Sequence, residues 1–130
     1  MFNIYEFYNA VLSQNAFEIK KFFNENAYIC WHNTNEKFTV DEFIRANCEY
    51  PDKWSGEIER IEQIEDLFIV VARVFNVSKT SYFHVNSFIE IENEKISKLD
   101  EYWGDDGNIP EWRVEKNIGV RIKWWIHFVI

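Results

Sequence analysis

A chain of 130 residues, 47% hydrophobic and 28% charged, is sized and balanced for one globular core, which excludes a disordered segment and a second domain. Its formal net charge of −8, with no basic cluster, excludes nucleic acid as a partner because the phosphates would be repelled. No apolar run nears the roughly 20 residues that cross a bilayer, and the opening MFNIYEFYNAVLSQN lacks the charged and cleavage regions of a signal peptide, so a cytoplasmic protein away from membranes is expected.

Phe2–Ser13 places Ile4, Tyr5, Tyr8, Val11 and Leu12 on one stripe and predicts a helix. A second helix opens at Asn15, with Glu18 three places on as its capping partner, and ends at Asn24-Glu25-Asn26. Ala27–His32 is a short strand. Thr39-Val40-Asp41-Glu42 is a capping box, so a third helix runs from Val40 to about Glu49, and Pro51 closes it.

From there the chain reads as strands: Trp54–Glu65, Leu67–Val77, Thr80–Ile91 and Lys95–Gly104. Ser78-Lys79 and Asn93-Glu94 are the tight reversals. Asp105-Asp106-Gly107-Asn108 is an acidic turn, because it lacks the ligand spacing of a calcium loop. Cys30 and Cys48 lack CxxC spacing and read as reduced thiols rather than metal ligands. The fold class is α+β: three N-terminal helices on a curved, mostly antiparallel sheet with an internal pocket.

Parity assigns the faces of the last hairpin. With Asn93-Glu94 as a two-residue turn, Asn86 lies opposite Glu101, Phe88 opposite Leu99 and His84 opposite Trp103. These six form the expected inner face. Phe83, Val85, Ser87, Ile89 and Ile91 then form the outer face, and a sheet apolar on both sides implies a homodimer through that outer face.

The segment ENEKISKLDEYWGDDG, together with this layout, resembles the nuclear transport factor 2-like superfamily, the cone-shaped fold of ketosteroid isomerases and SnoaL-like cyclases. The resemblance covers about Phe2 to Trp103 and implies a single domain over 1–122, with an apolar tail over 123–130. In ketosteroid isomerases a Tyr and a protonated Asp hold the oxyanion while a second Asp moves the proton. The resemblance puts these positions at Phe7, Asn86 and Trp31, so isomerisation of ketosteroids is not expected.

Glu101 is the expected proton-transfer group, His84 its partner, and Asn86 a donor to a substrate carbonyl. Against this stands a Glu101 that sits in water at the cavity mouth or bonds Asn86 across the strands, and a His84 that is simply a satisfied wall residue. Trp31, Trp54, Trp103, Phe23, Phe88 and Leu99 are either ligand-facing or ordinary core. No metal or cofactor is called for. Two functions fit: a SnoaL-like domain binding a small hydrophobic molecule, with metal-free acid/base isomerase, cyclase or dehydratase chemistry, or a non-catalytic binding or interaction module. The missing acid at Trp31 favours the second unless Glu101 substitutes.

Overall fold

The structure, a computed structural model, describes residues 1–122, so the apolar tail expected over 123–130 lies outside the described residues. Helix α1 spans Ile4–Leu12, capped by the Asn3 side chain, which accepts from the Tyr5 and Glu6 amides. Helix α2 is a short Ala16–Lys20 capped by Asn15. Strand β1 starts at Phe23, four residues before the expected Ala27, and runs to Trp31.

A second strand that the sequence reading did not expect, β2 at Glu36–Thr39, folds back on β1 and runs straight into α3, Val40–Cys48. Both halves of the Thr39–Glu42 capping box are formed. The remaining strands are β3 Trp54–Ile64, β4 Leu67–Asn76, β5 Tyr82–Glu92 and β6 Lys95–Asp105, followed by a short α4, Glu111–Glu115.

The six strands form one sheet in the order β2-β1-β6-β5-β4-β3. All neighbours are antiparallel except β1 and β6, which run parallel and set Trp31 beside Glu101. The three N-terminal helices cover one face. Phe7, Ile19 and Phe43 from the helices pack with Ile29, Val70, Val85, Ile89, Ile96 and Leu99 from the strands, all essentially inaccessible. Phe7 touches the rings of Phe2, Tyr8, Phe22 and Phe23 at centroid distances of 5.5–6.0 Å, as offset and edge contacts favour.

The register of the last hairpin corrects the expected faces. The turn is as read, with Asn93 and Glu94 both at positive φ, and it pairs Glu92 with Lys95 and Ile91 with Ile96. One step later Glu90 pairs with Lys98, so Ser97 is an extra residue in β6, its hydroxyl donating to the Glu90 carbonyl at 3.1 Å. This bulge shifts every later pair by one. Val85 now faces Trp103, Ser87 faces Glu101 and Ile89 faces Leu99.

Leu99, Glu101 and Trp103 therefore point inward as expected, but His84, Asn86 and Phe88 are on the outer face. Phe83, Val85, Ser87 and Ile89, expected outside, line the interior. A dimer through the outer face has to use other residues: Ile69, Val71, Phe88 and Tyr102 stand there by register.

One backbone contact limits how β3 is populated. A Cβ at Gly56 would lie 2.5 Å from the Arg73 carbonyl oxygen and 3.3 Å from Val74 Cα. The methyl would meet backbone, which cannot swing aside. Gly56→Ala is expected to destabilise by about 1–3 kcal/mol, read as a lower urea midpoint with an unchanged slope.

Candidate functional site

A cavity of about 450 Å³ opens between α1, the end of α3 and the inner face of the sheet. Its wall carries Trp31, Trp54 and Trp103, three of the residues singled out from sequence, together with Tyr8, Tyr50 and Phe83. The rings form a chain: Tyr50 to Trp54 at 5.5 Å, Trp54 to Phe83 at 5.8 Å, Phe83 to Trp103 at 6.1 Å. Rings suit such a wall because they give large apolar area with few torsions to freeze.

Glu101 lies behind this wall, only 6% exposed. Its Oε1 accepts from Trp31 Nε1 at 3.0 Å, and its Oε2 accepts from the Ser87 hydroxyl at 3.0 Å. The Tyr8 hydroxyl in turn donates to Ser87 Oγ at 2.6 Å. A directed wire thus runs from a cavity-lining phenol through a buried serine to a buried carboxyl.

Burial holds the Glu101 carboxyl above the usual carboxylate range, while Ser87, Trp31 and Trp103 pull it back down. The Trp103 indole contributes by proximity, since its Nε1 completes no hydrogen bond of normal geometry. Burial, and then the Glu101 charge, push the Tyr8 phenol up, with Ser87 acting against them. With Glu101 6% exposed and held by two side-chain donors, the solvated alternative does not describe this carboxyl, and among the described residues no Lys, Arg or His forms an ion pair with it.

The other expected site residues are placed elsewhere. Phe23 and Leu99 are core, 4% and 0% exposed, and do not reach the cavity. Phe88, outside, packs edge-on against Tyr102 at 5.8 Å. Asn86 is exposed on the outer face, so it cannot donate into the cavity; Ser87 holds the inward place beside it.

His84 is not Glu101's partner. Its Nδ1 meets Asp106 Oδ1 at 2.5 Å and its Nε2 meets Glu59 Oε1 at 3.2 Å, with Arg73 Nε 3.5 Å from Asp106 Oδ2 beneath. His32 also faces outward, as alternation with Trp31 required, stacked on Tyr102 and bonded to Asp100 at 2.7 Å. Among the described residues no group of His, Cys, Asp or Glu could hold a metal ion.

Sequence reasoning missed Ser87, Phe83 and Asp105 as inner-face residues, and Gln14 and Asn47 as parts of the wall. It also missed Asn33, whose Oδ1 accepts from the Trp103 amide at 2.6 Å and whose Nδ2 donates to the Trp103 carbonyl. That side chain ties the β1–β2 loop to β6 and fixes one tryptophan of the wall. An Asn directly after a strand is a turn signal, which is the one hint the sequence held.

No protein-family model matches the sequence, and no curated protein sequence matches it significantly. Solved structures do match its shape. A ketosteroid isomerase candidate from Kribbella flavida superposes with a TM-score of 0.76 at 16% identity, covering 92% of this chain and 87% of its own. A nuclear transport factor 2-like protein of unknown function from Burkholderia xenovorans gives 0.73 at 17% identity, covering 86% and 88%. A SnoaL-like polyketide cyclase candidate from Shewanella putrefaciens gives 0.59 at 12% identity, covering 73% of each chain. Identities this low speak for architecture and not for activity. By strand order, helix placement and these superpositions, the chain has the nuclear transport factor 2-like fold.

Proposed function

We propose that the cavity binds a small, largely apolar molecule and that Glu101 exchanges a proton with it through Ser87 and Tyr8. The observation that carries this reading is the wire itself. A carboxyl buried without a cation costs free energy that a purely structural wall would avoid. Both of its donors point at it, so the hydrogen-bond pattern is that of the ionised form, waiting to take up a proton.

The step balances within the chain. A substrate proton passes to Tyr8 Oη as the Tyr8 proton moves to Ser87 Oγ and the Ser87 proton moves to Glu101 Oε2. The substrate is left one proton poorer and Glu101 is neutral, a state its burial favours. Reversal returns the proton to another atom of the same molecule. That is the elementary act of an isomerase, a cyclase or a dehydratase. The SnoaL-like and ketosteroid isomerase-like architecture is consistent with such chemistry without specifying a substrate.

Binding is testable before any substrate is known. N-phenyl-1-naphthylamine is an uncharged apolar dye small enough for a cavity of about 450 Å³. It is expected to bind at one site and to take up excitation energy from Trp31, Trp54 and Trp103. Val11 lines the same space from the last turn of α1. Val11→Trp is therefore expected to fill the cavity and abolish saturable dye binding. Dye binding that persists unchanged in that variant would place the dye elsewhere and remove the support for a ligand cavity.

A further inference from the structure

The polar groups of the cavity wall have an imbalance that points to the charge of the ligand. Gln14 spends its Nε2 on the carbonyls of Asn47 and Tyr50, at 2.9 and 3.1 Å. Asn47 spends its Nδ2 on the Val11 carbonyl at 2.9 Å, and Asn33 commits both ends of its amide to Trp103. Flanking carbonyls fix the orientation of these amides, because an amide oxygen cannot face another carbonyl oxygen.

Other donors are committed as well. The Trp54 N–H goes to the Pro51 carbonyl, the Trp31 N–H to Glu101, the Thr34 hydroxyl to Glu36 and the Tyr8 hydroxyl to Ser87. The Trp103 N–H completes no hydrogen bond, so the free side-chain donors among the described wall residues are that indole, the exposed Tyr50 hydroxyl and the second amide N–H of Asn33 and of Asn47.

What the wall still offers is electron-rich. Gln14 Oε1 and Asn47 Oδ1 accept no hydrogen bond among the described residues. Asp105, on the inner face of β6 opposite Phe83, places a carboxylate at the mouth. Glu101 places another beneath the floor. Between them lie the faces of a ring chain, whose quadrupoles attract cations. Among the described residues no Lys, Arg or His lines the cavity. An anionic ligand would find neutral donors but no cationic side chain among the described wall residues to balance its charge, and a carboxylate at the mouth to repel it.

We propose that the molecule bound here is an apolar organic cation, a tertiary or quaternary alkylammonium, seated against the tryptophan faces with Asp105 at the entrance. This rests on the reading of the cavity as a ligand site. It adds the sign of the ligand's charge. A cation entering above Glu101 would also favour the ionised carboxyl that the proton wire starts from.

Two probes of one shape separate the ideas. Phenyltrimethylammonium and tert-butylbenzene differ by a nitrogen and a positive charge. Each is titrated against the full chain carrying N-phenyl-1-naphthylamine, at low and at high salt. The cation is expected to displace the dye about tenfold or more tightly than its carbon isostere, the range that desolvated cation–π contacts supply. Asp105→Asn should reduce that preference several-fold, and high salt should reduce it in the parent chain.

If the isostere displaces the dye as well as the cation does, the charge inference fails while the cavity reading stands. If the dye itself finds no saturable site, the cavity reading fails and takes this inference with it. If the cation binds without displacing the dye, it binds outside the cavity, and the inference is again overturned.

Discussion

Glu101→Gln is expected to slow any proton transfer through this site at least about 100-fold, the range associated with loss of a positioned general base. Shape is conserved but direction is not. The new amide would present an NH2 to Ser87 or to Trp31, both of which now donate to Glu101. Ser87 can rotate to accept, but its own proton must then turn elsewhere and the wire from Tyr8 is broken.

The same substitution has a second, substrate-free signature. The folded carboxyl titrates above its unfolded value of about 4.3. Below that pH both states are protonated and nothing is lost. As pH rises through the folded value, the unfolded chain releases the proton more readily, so the native state loses stability until Glu101 is ionised in both. The glutamine has no such titration. Urea unfolding across the acidic-to-neutral range should therefore show the variant gaining on the parent as pH rises. Parallel curves at every pH would show that Glu101 is not the buried titrating group described here.

The helix starts, the strands from Trp54 onward and the Asn93-Glu94 turn were legible from the sequence because each carries local chemistry, whereas α2 stops at Lys20, short of the expected Asn24, and the expected Ser78-Lys79 reversal lies inside a longer loop between Asn76 and Tyr82. Asn15 and Thr39 with Glu42 are caps, and Asn93-Glu94 at positive φ is a hairpin turn. The faces of β5 were not legible. One residue, Ser97, decides them, and nothing near a serine between Ile96 and Lys98 announces a bulge. A two-residue turn read without it puts His84 and Asn86 inside, which made a plausible but absent dyad with Glu101.

β6 was read correctly for the opposite reason: its large residues Leu99, Glu101 and Trp103 keep one parity on the inward side of the bulge. Glu101 was recognisable as a candidate but not as a buried one, since its partners Trp31 and Ser87 come from strands whose pairing is a tertiary fact. The parallel contact of β1 with β6 has no local sequence signature at all.

The largest stability effect is expected at Phe7, and it separates architecture from chemistry on adjacent residues of one helix. Phe7 is 1% exposed at the centre of an aromatic cluster that joins α1, α2 and the start of β1. Phe7→Ala removes a ring that its fixed neighbours cannot fully replace and is expected to cost about 3–5 kcal/mol. Tyr8→Phe deletes only the hydroxyl on Ser87 and is expected to cost about 0.5–1.5 kcal/mol, the net worth of one hydrogen bond. Tyr8→Phe should nonetheless lose activity as fully as Glu101→Gln, because it cuts the wire at the cavity end. It should also keep the parent's stability loss with rising pH, because Glu101 still titrates. Phe7→Ala should behave the other way, with a much lower urea midpoint and the pH trend intact. A Tyr8→Phe variant that retained full turnover of an identified substrate would show that protons reach Glu101 by another route, or not at all.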